Sequence, residues 1–318
     1  MWVTILEMQG LVSLSGSVNP SNSYFIRRYA GTTPFTKRLH RVQLDTPLQT
    51  GSHVWVQIPN QGDILTEIYI DIPIDPSTVF DRIEIFCNRQ IIERHYMEFR
   101  TIDQQLTVPS SLQRAFMGGV YPIKLTFPIP LVALNNQDIQ VRLVVKSDSA
   151  PPQSLYGFQT SLLCNYVYLS ETERTWFKNN SFDVLVTQVQ LHEENSITDG
   201  SIFTNFINPC KELYFTKFDQ MQILFNSIEQ VPNMSWKFYH NLIPIDFHTK
   251  VPDGDYGVYT FSIYPEQKNP SGSVNIGLIQ NQQFRVTGAQ LPFRIYAVTY
   301  NIIRFEDGFA RVLFNNLQ

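Results

Sequence analysis

Apolar side chains recur at every second position in segment after segment of this chain, and a period of two leaves little but pleated sheet for it to fold into. In "SHVWVQIP", Val54, Val56 and Ile58 alternate with His53, Trp55 and Gln57. After the turn Asn60-Gln61-Gly62-Asp63 comes "ILTEIYIDIPI", where Ile64, Ile68, Ile70, Ile72 and Ile74 are expected on one face and Glu67, Tyr69 and Asp71 on the other. The same pattern continues through "RIEIFCN", "QIIERHYMEF", "YPIKLTFPIPLVAL", "DIQVRLVVK" and "SLLCNYVYL", each bounded by the Pro, Gly, Asn and Asp clusters that make turns.

The period changes once, at Ser170. Ser170 with Glu173 three positions on is a capping-box pattern, and the helix it opens is brief because Asn179 and Asn180 follow. Alternation then resumes in "FDVLVTQVQLHEE" and runs through "KELYFTKF", "MQILFNS", "SWKFYHNLIPI", "GVYTFSIYP", "SGSVNIGLI", "QQFRVTG" and "FRIYAVTYNIIRF". Both halves close on a long apolar strand containing Tyr and Val, which hints at a duplication. The helix is either the joint between two similar β domains or a loop helix within one large sandwich. Many antiparallel strands in halves of this size point to sandwiches of the jelly-roll or Greek-key kind, and no amphipathic helices separate the strands as an α/β fold would need.

Composition narrows the function. With 318 residues, 43% hydrophobic and 13% aromatic, the chain holds enough apolar material for a large core. A net charge of −4 argues against a protein that coats nucleic acid over its whole surface, so no specific nucleic acid is expected as a partner. Cys87, Cys164 and Cys210 are far apart and odd in number, which fits assembly in a reducing compartment. The start, "MWVTILEMQGLVSLSGS", lacks a basic leader and is broken by Gly10 and Gly16, so it reads as an arm rather than a signal peptide or a membrane span.

Candidate chemistry is sparse. Phosphate-binding loops, nucleophile elbows and metal-binding helix motifs are not found, and the six histidines are scattered, so neither a cofactor nor a metal is expected. Asp253 and Asp255 in "PDGDYG" resemble part of a calcium loop, but turn chemistry explains them better. Glu193 and Glu194 are adjacent and would point to opposite faces of a strand, which disfavours an acid/base pair. One basic, aromatic-interleaved strip stands out, "YFIRRYAGTTPFTKRLHR", with Arg27, Arg28, Lys37, Arg38 and Arg41 and no acid. It suits phosphates, an acidic partner, or a strand edge protected by charge.

Several stretches, in order along the chain, resemble the major capsid proteins of the nucleocytoplasmic large DNA viruses, a family built as a tandem double jelly roll. They are "GLVSLSGSVNPSNSYFIRRYAGTTPF", "GDILTEIYIDIPI", "IIERHYMEF", "IPLVALNNQDIQVRL", "NYVYLSETERTWF", "KELYF", "PEQKNPSGSVNIGLI" and "YAVTYNIIRFEDGFARVLFNN". The fold this resemblance implies is all-β, two tandem eight-stranded antiparallel jelly-roll sandwiches joined by a short helical linker. It divides the chain into an arm (1–23), a first jelly roll (24–170), a linker helix (171–182) and a second jelly roll (183–318). The "NPSGSVNIG" segment resembles the family's turn into a late strand, from which Val274, Ile276 and Leu278 are expected to alternate into the core. Met97 stands where the family usually has glycine, Ala310-Arg311 follow Gly308 where it usually has a glycine pair, and the chain is shorter than typical members.

The resemblance implies a mechanical role rather than an enzyme. Homotrimers would form near-hexagonal tiles of an icosahedral shell, assembled in the host cytoplasm and located in the virion. The partners implied are the chain itself, neighbouring tiles, minor capsid proteins and, through the arm, an inner viral membrane, with the basic strip facing inward. Two alternatives stand beside this. One is a minor or penton-type capsid paralogue. The other is a carbohydrate-binding receptor-recognition virion protein, in which Trp55, Trp176 or Trp236 would stack on sugars.

Overall fold

The computed structural model describes residues 34–108, 119–123, 125–135, 137–147 and 159–314. The arm at 1–23, Arg27 and Arg28 lie outside the described residues.

Before Ser170 the strands are β1 Thr36–Gln43, β2 His53–Ile58, β3 Ile64–Asp71, β4 Phe80–Cys87, β5 Gln90–Tyr96, β6 Val120–Ile123, β7 Ile139–Val145 and β8 Ser161–Tyr168. They form two four-stranded antiparallel sheets, ordered β1-β8-β3-β6 and β2-β7-β4-β5. The expected alternation places Val54, Val56 and Ile58 of one sheet against Ile68, Ile70, Leu162, Cys164 and Tyr166 of the other, in one core. Within β3 a bulge between Leu65 and Glu67 shifts the phase. Leu65, not the expected Ile64, is therefore buried, because an extra residue in a strand turns everything before it to the opposite face.

After Ser170 come β9 Phe182–Glu194, β10 Ser201–Thr204, β11 Pro209–Thr216, β12 Gln220–Phe225, β13 Ile228–Ser235, β14 Tyr256–Thr260, β15 Val274–Asn275, β16 Gln282–Thr287, β17 Phe293–Glu306 and β18 Phe309–Val312. One sheet runs β10-β16-β12-β13, and the other runs β14-β11-β17 with β9 and β18 also on β17 and β15 on β11. Setting aside the short β15 and β18, the eight strands of this half repeat the pairing plan of the first: β9-β17-β11-β14 answers β1-β8-β3-β6, and β10-β16-β12-β13 answers β2-β7-β4-β5.

The repeat reaches single residues. β4–β5 and β12–β13 are hairpins with two-residue turns, Asn88-Arg89 (φ 46° and 71°) and Asn226-Ser227 (φ 51° and 65°), the left-handed pair that matches strand twist. The amide of each asparagine donates to the carbonyl just before the neighbouring strand, Asn88 to Asp138 at 3.2 Å and Asn226 to Asn281 at 2.8 Å. A helix follows each hairpin. In the first half it is α1, Met97–Thr107; in the second, a π-helical turn Phe238–Leu242 runs into the short α3, Ile243–Phe247.

Three expectations are corrected here. "HYMEF" does not continue as strand, since Phe99, Ile102 and Leu106 fall on one helical face and are buried. "SWKFYHNLIPI" is mostly helical beyond Ser235, with Pro244 in the first turn of α3, where its missing amide has no partner to lose. Leu278 does not enter the core. A 3-10 turn at Ile276–Leu278 buries Ile276 and leaves Leu278 77% exposed.

The helix at the change of period, α2 (Glu171–Asn179), begins as expected: the Ser170 oxygen accepts from the Glu173 amide and its hydroxyl donates to the Glu173 carboxylate at 3.0 Å. Asp63 fixes its approach, accepting from the Leu169 amide at 2.8 Å and pairing with Arg174 at 3.1 Å. None of the residues of α2 is buried. What joins the halves is elsewhere: Val186, Ile303, Phe305 and Ala310, all beyond α2, belong to the core of the first sandwich.

Candidate functional surfaces

The basic strip is divided by strand geometry. Among the described residues β1 pairs along one side, with β8, in the register Lys37↔Val167, Leu39↔Asn165 and Arg41↔Leu163. Alternation puts Lys37, Leu39 and Arg41 on the outer face of the sheet and sends Arg38 to the opposite face, across from Tyr166. The structure thus brings Lys37 and Arg41 together and separates Arg38 from them. Arg41 donates to Asp71 at 2.5 Å and to Ser161 at 3.0 Å. Beside it Glu67 accepts from Tyr69 at 2.6 Å and from Asn165 at 3.0 Å. These two bonds, with the nearby charge of Lys37, hold the Glu67 carboxyl below the usual range, and the Tyr69 hydroxyl is pushed up to about 12. Leu39 stands 57% exposed within this polar face.

The matching face of the second sandwich is covered. Val189 and Leu191 of β9, Tyr214 of β11, Val258 of β14, and Tyr296 and Val298 of β17 pack with Phe99, Ile102 and Leu106 of α1. Phe99 meets Tyr214 edge-on at 5.1 Å. Glu98 of α1 accepts from both Arg294 and Tyr296 at 2.6 Å, and Gln105 accepts from the Gly254 amide at 2.9 Å. On its other flank α1 holds its own sandwich, where Arg100 donates to the Pro122 carbonyl at 2.8 Å. The π turn and α3 grip their own sandwich alike: Tyr239 is fully buried and donates to the Met221 carbonyl at 3.1 Å, while Ile243 is buried beside Val258. On their far flank Leu242 and Ile245 are 49% and 65% exposed.

Glu84 and Glu212 are among the carboxylates buried on strands, a feature that sequence reading missed. Glu84 on β4 is ringed by Arg82, Arg94 (2.8 Å) and Arg142. Burial raises its carboxyl, but the three guanidinium groups outweigh that and hold it low. The register Glu84↔Arg142 and Glu84↔Arg94 across β7-β4-β5 makes this grouping readable once the strand order is known. Glu212 on β11 lies 3.1 Å from His248 and 3.3 Å from Lys211, and takes the Tyr214 hydroxyl at 3.2 Å. Burial again pushes its carboxyl up, and His248 and Lys211 bring it net below the usual range.

The remaining candidates have these neighbours, with Trp55 and Trp176 still 47% and 49% exposed. Trp55 lies tilted against Phe86 at 4.9 Å with the Arg142 guanidinium 5.1 Å over its ring, Trp176 packs at 5.6 Å on Phe182, and Trp236 lies edge-on to Phe218 at 5.0 Å. Glu193 pairs with Arg294 and Glu194 lies 3.2 Å from His192, on opposite faces of β9. Asp253 and Asp255 each meet a lysine, Lys250 and Lys217. The three thiols are buried and unpaired, and burial pushes Cys87 and Cys164 up to about 12. Among the described residues no group of His, Cys, Asp and Glu is placed to hold a metal ion.

Comparison with known proteins fits this repeated architecture. Residues 216–311 match the family model described as large eukaryotic DNA virus major capsid protein. The major capsid protein of Pyramimonas orientalis virus is 22% identical, over 96% of this chain and 96% of its own length. A chain of the PBCV-1 virus capsid superposes with a TM-score of 0.80 at 18% identity, covering 92% of this chain and all of that one. The Faustovirus major capsid protein does so with a TM-score of 0.74 at 9% identity, covering 96% and 97%. Two eight-strand sandwiches with one pairing plan define the fold: the double jelly roll of these capsid proteins. The chain is similar, along nearly its whole length, to the major capsid protein of one such virus, and through residues 216–311 to the family model.

Proposed function

We propose that the chain is a structural capsid protein that works as a homotrimer whose six sandwiches form a near-hexagonal tile, many of which cover an icosahedral particle. The observation that carries the proposal is the repeat itself. Two sandwiches of one plan in a single chain let a threefold ring imitate sixfold packing, while the halves stay free to differ. The role is mechanical rather than catalytic. The chain divides functionally into an arm (1–23), a first jelly roll (24–170), a linker (171–182) and a second jelly roll (183–318). The arm is directed to minor capsid proteins or an inner membrane. Buried, unpaired thiols suit assembly in the reducing host cytoplasm.

The interface within the trimer belongs to the large, permanent class, on the order of 2,000 Å² or more, and contacts between tiles are smaller and wetter. Native mass spectrometry of the full chain at micromolar concentration is expected to give a trimer. A stable monomer there overturns the reading.

A further inference from the structure

The two halves of the chain each own one helix after a hairpin and one outer sheet face, yet only one such pair is joined within the chain. α1 grips its own sandwich with one flank and seats Phe99, Ile102 and Leu106 on the outer face of β9-β17-β11-β14 with the other. The pairing plan makes the π turn and α3 the counterpart of α1, and β1-β8-β3-β6 the counterpart of that receiving face. Among the described residues, neither counterpart is joined to the other within the chain. Leu242 and Ile245 project from the helix, three residues apart and so on one flank, with exposed Asp246 beside them. On the first sandwich, Leu39 stands exposed between Lys37 and Arg41, and Val120 is exposed on the same face at its far edge.

We infer that the Leu242–Ile245 flank of one copy docks on the outer β1-β8-β3-β6 face of a second copy, with Ile245 against Leu39 and Asp246 towards Lys37 and Arg41. The inference rests on the trimer reading and adds to it which surfaces meet. One unused helix flank and one unused face per chain make a head-to-tail contact, which closes into a ring when the rotation allows. Its chemistry is complementary: apolar on apolar at the centre, with Asp246 joining a mixed-charge rim in which Arg41 also pairs with Asp71. The receiving face carries Glu67, Tyr69, Asp71 and Asn165 where its counterpart carries Tyr214, Tyr296 and Val298, so this contact is wetter than the one inside the chain.

The test co-expresses two full-length chains with different affinity tags, one carrying Leu39→Cys and the other Ile245→Cys, under mild oxidation. A covalent dimer containing both tags is expected, and neither variant alone gives one; the native thiols are buried and contribute little background. Independently, Ile245→Asp is expected to raise the trimer dissociation constant about tenfold or more, as burying an unpaired charge at an interface centre does. Leu278→Asp, at an equally apolar exposed position elsewhere, leaves it unchanged. Asp246→Lys weakens the trimer, and Lys37→Glu added to it restores part of the loss. Trimers that give no mixed-tag dimer and ignore both Ile245→Asp and Asp246→Lys overturn this docking while leaving the trimer standing. Unmodified chain that is monomeric overturns both.

Discussion

The two sandwiches share a strand plan and differ in where their cores end. The second core, from Ile202 to Ala297, is built from residues on one side of α2 alone among those described, with Phe215, Phe218, Phe284 and Tyr239 at its centre. The first borrows Val186, Ile303, Phe305 and Ala310 from the far side. Strand length is the cause. β9 and β17 are 13 and 14 residues long, on the order of 40 Å at the usual rise, so they outrun their own sandwich. Phe293, Ile295 and Ala297 of β17 serve the second core, and Ile303 and Phe305 of the same strand serve the first. The β17–β18 hairpin then locks on: the Asn135 amide donates to the Gly308 carbonyl, Ala310 to Gln137 and Val312 to Gln90. With α1 reaching the other way, the halves exchange elements in both directions. The exposed α2 is a tether across a junction that packing has already fixed.

The sharpest way to break this comparison is to cut the borrowed core. Phe305 is buried, stacked on Phe182 at 5.0 Å and edge-on to Phe127 at 6.3 Å. Phe305→Ala is expected to cost about 3–5 kcal/mol, the range for emptying a core aromatic site. The informative readout is location. Hydrogen exchange should accelerate in β2, β4 and β7, over 150 residues earlier in the chain, whereas Phe284→Ala, of similar cost, should loosen β10, β12 and β16. Exchange that accelerates in the second sandwich for both variants breaks the shared-core account.

How much of this was legible in the sequence follows from which interactions are local. The alternation of Val54, Val56 and Ile58, or of Val184 and Val186 along β9, is a property of neighbouring residues and was read correctly. The box at Ser170 is likewise local. The Asp307-Gly308 turn that folds β18 back was also within reach, since an Asp-Gly pair beside an apolar run is a strong hairpin signal. α1 was hidden for a different reason: the strand ending at Tyr96 passes into it with no side-chain cap, so nothing marks the boundary. The pattern Phe99, Ile102, Leu106 was its one trace. The bulge at Thr66 and the ring of arginines around Glu84 depend on partners far away in the chain, and no spacing announces them. Of the basic strip, strand periodicity alone separates Arg38 from Lys37 and Arg41.

A second comparison sets Glu84 in the first sandwich beside Glu212 in the second, both buried. Glu84 faces three arginines that bridge β4, β5 and β7, so it ties together three strands of one sheet. Glu84→Gln keeps the shape and removes the charge, leaving those guanidinium groups crowded without a counter-ion. The expected loss is about 2–3 kcal/mol, below the full cost of breaking a fully buried pair because Arg82 and Arg142 reach solvent. Urea unfolding at unchanged slope measures it. A loss no larger than that of an exposed pair such as Arg311–Glu306 would mean that the arginines simply turn outward.

Glu212 provides the smallest and most specific effect. Its partners are Lys211, on the same strand, and His248, from the segment after α3, with Glu266 3.4 Å from the other ring nitrogen of His248. The folded-state carboxyl of Glu212 is held below its ordinary value by His248 and Lys211 in spite of burial. A group whose folded value is depressed stabilises the fold above its unfolded value, near about 4.3, and loses that contribution as the pH falls through the folded value. The stability gap between the native chain and Glu212→Gln is therefore expected to be widest near about pH 6 and to close towards about pH 3. Glu84 is depressed in the same direction, so the native chain alone would mix the two; subtracting the Glu212→Gln curve isolates the second sandwich. A gap that stays constant across that range means the glutamate acts through its shape and the Tyr214 hydrogen bond rather than its charge, and the likeness between the two carboxylates ends there.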